Sequence, residues 1–246
     1  MYRDGSMLTT NSGPEIHALP SDDPRLRDPL LTFREAAGYL GVPLATFHSW
    51  ARSQGGASGN GPVVLALKDG RSSRAIPFIG LVEGYVLQAF RRAGVPVRRI
   101  RPALARLDEE VGVQHALASR HLYTDGCEVL YDYAAHLGED VVRSLTVVRS
   151  GQNVFPEIVS GYLTRVIWDQ ADWPRRLQLP AFREATVVVD LTRAFGRPLL
   201  EHGGARVEDI LDRFRGGDGL AAIAEDFDVP LRECEDVVRV ALAQAA

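Results

Sequence analysis

Thr46, His48, Ser49 and Arg52 fall on the polar side of one short segment whose other side carries Phe47 and Trp50. These side chains form no nucleophile–base pair. They offer small hydrogen-bonding groups and a guanidinium, the chemistry of reading base edges beside a phosphate backbone. A second set, Lys68, Arg71, Ser72 and Arg74 with Ser73, surrounds an Asp69-Gly70 turn signal and suits backbone phosphates. Bond-breaking chemistry finds little footing. There is no glycine-rich phosphate loop, no nucleophile elbow and no His or Cys pair at metal-ligand spacing. His115 and His121 are unsuited to one helical face, and Cys127 and Cys234 are small core residues of a reducing cytosol. We therefore expect no catalytic residue, metal or cofactor, and a binding protein rather than an enzyme.

The first set belongs to the stretch TFREAAGYLGVPLATFHSWAR, Thr32 to Arg52. Thr32 is an N-cap with Glu35 three residues on, a capping box. Ala36, Ala37 and Leu40 form an apolar face, Gly41 stops the helix, and Pro43 opens a second one. Phe47 and Trp50 point inward, leaving Ala45, Thr46, His48, Ser49 and Arg52 outward, a slim front that suits a major groove. Many core hairpins share this pattern, so its neighbours decide. A glycine-rich connector at 53–61 leads to PVVLALKDGRSSRAIPF, a β-hairpin by its Asp-Gly turn, which makes the head a winged helix-turn-helix.

Charge supports the same division. Residues 25–107 hold 13 Lys/Arg against four Asp/Glu, a net of +9, whereas residues 108–246 hold 14 Arg against 24 acids, a net of −10. Such a split suggests an anion at one end and another partner at the other. Composition is ordinary for a globular protein, 46% apolar and 24% charged. No apolar run approaches the roughly 20 residues that cross a bilayer, so we expect no membrane contact and a cytoplasmic location.

The fold expected is α+β and mainly helical. Residues 1–29, rich in Pro, Ser and Asp, read as a flexible lead-in; 30–112 as the winged helix-turn-helix; 113–184 as a small α+β middle module; 185–246 as a helical domain with a second helix-turn-helix pattern. Within the first module, Leu81 to Phe90 and Ile100 to Leu107 give two further helical stripes, and arginines including Arg91, Arg92, Arg98, Arg99 and Arg101 cluster at their junction. They read equally as phosphate clamps or as a solvated face. In the middle module, a hairpin turns at Asp125-Gly126, a helix follows around Val154–Tyr162, and LTRVIWD pairs with WPRRLQL. In the last module, Val207, Ile210, Leu211 and Phe214 mark an amphipathic helix stopped by Gly216-Gly217. Residues 217–246 carry seven acids against Arg232 and Arg239, a surface that phosphates would repel, so this second pattern should meet protein.

The head resembles MerR-type regulators, through TFREAAGYLGVPLATFHSWAR and GVPVRRIRPAL. The last sixty residues resemble a small helical family encoded beside PIN-domain ribonucleases, through VVVD, FGRPLL, GARVEDIL and GGDGLAAIAEDFDV. The whole resembles the long VapB-type antitoxins of actinobacteria. The resemblance implies an antitoxin that silences a PIN-domain endoribonuclease toxin and represses its own operon on operator DNA. Inhibition by an inserted arginine would fall to Arg193, Arg197 or Arg206, among which the sequence does not choose. A homodimer is expected, since a helix-turn-helix reads half-sites in symmetric pairs, with the last module favoured as the interface. The alternative is a MerR-like regulator without a toxin, sensing a ligand through the middle module.

Overall fold

The computed structural model describes residues 18–52, 61–67, 74–92, 97, 101, 104, 114–120 and 163–245. Helix α1 (Pro24–Arg27) precedes α2 (Phe33–Leu40) and α3 (Leu44–Ala51), and α4 (Phe78–Arg92) lies beneath them. Four short strands follow, β1 (Val166–Trp168), β2 (Pro174–Gln178), β3 (Val187–Asp190) and β4 (Leu199–Leu200). Helices α5 (Val207–Arg215), α6 (Leu220–Asp226) and α7 (Leu231–Ala245) complete the chain, an α+β, mainly helical fold. The hairpin at Asp125-Gly126 and the helix around Val154–Tyr162 lie outside the described residues.

Local signals account for the head. The Thr32 hydroxyl accepts from the Glu35 N–H at 3.1 Å while the Glu35 carboxylate accepts from the Thr32 N–H at 2.8 Å, closing the capping box. Gly41 ends α2 at φ 66°, a left-handed position that glycine adopts without Cβ strain. Phe47 and Trp50 are buried, and every residue of α4 from Phe78 to Phe90 is buried as well. A helix buried all round, its polar Glu83 and Gln88 side chains included, is the centre of its domain, and α4 is the platform on which α3 rests. Gly84 allows that approach, because a Cβ there would lie 2.6 Å from the Phe47 ring.

Three expectations need correction. Within the expected lead-in, residues 18–29 are held to the fold: the Asp23 carboxylate caps α1, Arg25 pairs with Asp169 at 2.5 Å, and Leu19 and Leu26 pack against the core. Apolar contact and a long-range ion pair outweigh the loop-like composition. In the described residues of the expected hairpin, 62–67 and 74–78, the pairing takes another form. The Leu67 N–H donates to the Ala75 carbonyl at 2.8 Å, but Val63 and Val64 donate to the Trp50 carbonyl and Leu65 to the Glu83 carboxylate. Ile76 bridges to Leu31 instead, so the outgoing arm spends its donors on the helices rather than on a ladder. The boundary placed at residue 185 falls inside one antiparallel sheet of order β1-β2-β3-β4, with Leu177 opposite Val189. Val187–Asp190 is buried throughout, and such a strand needs partners on both edges.

The head and the last module share one apolar core that includes Leu40, Phe47, Tyr85, Leu177, Val189 and Ile210. Helix α2 packs on α7, where Gln244 crosses over Gly38 and Arg34 donates to the Gln244 carbonyl at 2.7 Å. A cation on the exposed carbonyls at a helix C-terminus is favourable. The helix-turn-helix and the last helix are thus fastened to each other.

Candidate nucleic-acid interface

The structure gathers Thr46, His48, Ser49 and Arg52 on α3 and its C-cap. Ala45 and Arg52 are exposed, and the other three are half-buried. The Ser49 hydroxyl donates to the Thr46 carbonyl at 2.7 Å, which leaves its lone pairs for an incoming donor. Arg52 makes no hydrogen bond or ion pair among the described residues, so its guanidinium is available to an anion. His48 is less free than its spacing suggests. Its ring stacks on Phe33 with centroids 4.2 Å apart and planes 15° apart, and Nδ1 is buried without a partner. Burial, then the Arg52 charge, lowers its pKa, so the imidazole is neutral near pH 7 and acts as a hydrogen-bonding group rather than a phosphate cation.

Behind α3 lies a residue whose role spacing left open. Arg101 is 6% exposed and donates to the Ser49 carbonyl at 2.6 Å and to the Gly61 carbonyl. It therefore holds the end of α3 against the outgoing arm, from inside, and is neither phosphate clamp nor solvated face. Arg91 and Arg92 are exposed at the end of α4, and the Arg92 guanidinium approaches Gly41 in the helix-turn-helix turn. No signal in the local sequence separates Arg101 from these two; only its partners do.

Lys68, Arg71 and Ser72 lie outside the described residues. Arg74 is described, and it reaches α5, with its guanidinium 3.4 Å from the Glu208 carboxylate. Glu208 also takes Arg197 at 2.5 Å and Arg206 at 3.5 Å. The arm that returns from the basic tip and two of the three arginines considered for a protein partner thus converge on one carboxylate.

Those three arginines differ in freedom. Arg197 is 11% exposed, donates to the Leu30 carbonyl as well as to Glu208, and leaves its buried Nε unpartnered. Its position is that of an internal tie between α5 and the head. Arg206 is clasped by Asp209 at 2.8 and 2.7 Å, bonds that raise its pKa. Arg193 is exposed, and its side chain makes no hydrogen bond or ion pair among the described residues.

Comparison with known proteins agrees with this geometry. The family described as "Putative DNA-binding HTH domain" matches residues 29–104, which span the helix-turn-helix and α4. The chain is 42% identical over 222 residues to the Mycobacterium tuberculosis protein named "Putative antitoxin VapB45", across 85% of this chain and 92% of that one. The crystal structure of Rv2018 from Mycobacterium tuberculosis is similar at a TM-score of 0.71 and 42% identity, covering 87% of this chain and 99% of that chain. Among the described residues no helix is long and apolar enough to cross a membrane.

Proposed function

The chain belongs to the long VapB-type antitoxins, and from that premise we propose that it binds and neutralises a PIN-domain endoribonuclease and represses its own operon by gripping operator DNA. The observation that carries the DNA half is the front of α3: small residues, Ser49 and an unpaired Arg52, mounted on a platform helix buried from Phe78 to Phe90. Rigid mounting matters because base readout needs hydrogen-bonding groups held in register with the groove. The net +9 of residues 25–107 supplies the attraction that is independent of sequence. The protein-facing half belongs to the acidic last module, with Arg193 the candidate most free to engage a carboxylate. The working species is a cytoplasmic homodimer that performs no catalysis itself.

The test separates the two halves. Ser49→Ala with Arg52→Ala should weaken operator binding about 10- to 100-fold, the loss of one or two base or phosphate contacts, while ribonuclease inhibition stays at the wild-type level. Gel-shift titration and an RNA-cleavage assay read the two activities, and their joint loss would refute the division of labour. Arg71→Ala should weaken binding to any DNA sequence alike and reduce the salt slope by about one. An unchanged slope would take the basic tip out of the interface.

A further inference from the structure

The loop between β3 and β4 presents a side chain that nothing inside the protein explains. Phe195 is 94% exposed, far beyond the other large apolar residues at the surface among the described residues, and its backbone is left-handed at φ 53°. Ala194 before it is also left-handed at φ 47°, and Gly196 after it at φ 72°. Glycine takes that conformation freely, whereas a bulky residue there is a true outlier. Strain of this kind persists only where the surroundings impose it.

The surroundings do impose it. Asp190, at the end of β3, accepts from the N–H and the hydroxyl of Thr192 at 2.9 and 2.7 Å. Gly196 donates to the Arg193 carbonyl and Arg197 to the Ala194 carbonyl, and the buried Arg197 side chain anchors the exit. Beneath the turn, Gly196 is pressed against Leu30 and Leu191. Phe195 therefore stands on a fixed pedestal, already ordered before any partner arrives. Beside it lies Arg193, whose guanidinium rests over Gly204, a glycine whose missing Cβ leaves room for it. A single exposed apolar residue is ordinary on a protein surface. One held by a strained backbone, next to a guanidinium without a carboxylate partner among the described residues, is not.

We propose that Phe195 is the anchor by which this protein docks on its folded protein partner, entering an apolar socket whose rim carries carboxylates that receive Arg193. The inference rests on the reading above that the partner is a PIN-domain ribonuclease. A rigid aromatic anchor loses little freedom on docking, and a few such side chains dominate the energy of an interface. The unpaired arginine selects an acidic partner, which argues against a second copy of this loop, where Arg193 would meet Arg193.

The full-length chain carrying Phe195→Gly or Arg193→Glu should be titrated by calorimetry against the purified, catalytically inactivated PIN-domain ribonuclease of its operon. Phe195→Gly should weaken that binding about 30-fold or more and raise the melting temperature by about 2 °C, because glycine relieves the left-handed strain. Arg193→Glu should weaken binding about tenfold, as expected for reversing a charge at an interface rim. Operator affinity and oligomeric state should match wild type in both. Ribonuclease binding by Phe195→Gly within twofold of wild type would overturn the anchor and leave the antitoxin reading intact. Failure of the wild-type chain to bind the ribonuclease would overturn both. A shift of the monomer–dimer balance, a loss of operator affinity or a lowered melting temperature in Phe195→Gly would assign the side chain to another role and overturn the proposal.

Discussion

Asp236→Ala is expected to destabilise the protein by about 3–5 kcal/mol, the cost of stripping a buried carboxylate from several donors at once. One oxygen of Asp236 accepts from the N–H groups of Arg183, Glu184 and Ala185 at 2.6, 2.8 and 3.1 Å. The other takes the Arg239 guanidinium at 2.6 Å, and Arg239 also donates to the Ala181 carbonyl at 2.8 Å. Asp236 is 3% exposed, so water cannot replace it when it is removed. Three amide donors would be orphaned where the chain enters β3, and the melting temperature should fall by roughly 10 °C for a chain of this length. Chemical denaturation measures the loss, and a change under about 1 kcal/mol would show that the loop has other support.

The same carboxylate sets a pH dependence. Burial pushes its pKa up, but the bonds from Ala185, Glu184, Arg239 and Arg183 outweigh burial and hold it below the ordinary 3.8. A carboxyl with a depressed folded pKa contributes its stability fully above the unfolded value and loses it as pH falls through the folded value. Asp23, Asp169 and Asp190 are lowered too, each by hydrogen bonds that outweigh burial. The wild type should therefore lose stability steeply as pH falls below about 4, and Asp236→Asn should lose less over that window. Urea titrations on either side of it decide the matter; equal losses in both proteins would discard Asp236 as a source of acid sensitivity.

Gly80→Ala should destabilise by about 2–4 kcal/mol through overpacking. Gly80 lies inside α4, where alanine is intrinsically favoured over glycine by about 1 kcal/mol, so the sign of the effect is informative. A Cβ at Gly80 would stand 2.1 Å from the Leu65 carbonyl oxygen. That oxygen belongs to backbone, and the Leu65 N–H is tied to the buried Glu83 carboxylate at 2.6 Å, so the arm cannot slide aside cheaply. The variant should push residues 61–67 off the platform and weaken operator binding along with stability. A more stable Gly80→Ala protein would mean that the arm is free to move.

What the chain order alone determined was local. The Thr32–Glu35 box, the Gly41 stop, the inward Phe47 and Trp50 and the strand pair of residues 166–178 all rest on groups within about a dozen residues of one another. Caps, turns and apolar spacing act at that range, and the sequence displays them directly. The basic front of the chain and its slim outward helix were legible for the same reason. The tertiary structure alone decided the rest. Arg101, Arg197 and Arg193 are the same residue type in polar stretches, yet one is a buried clamp, one an internal tie and one unpaired at the surface. The fastening of α2 to α7 depends on partners 210 residues apart in the chain. A guanidinium's role is set by which carbonyls and carboxylates reach it, and for these side chains the fold, not the neighbouring sequence, supplies those partners.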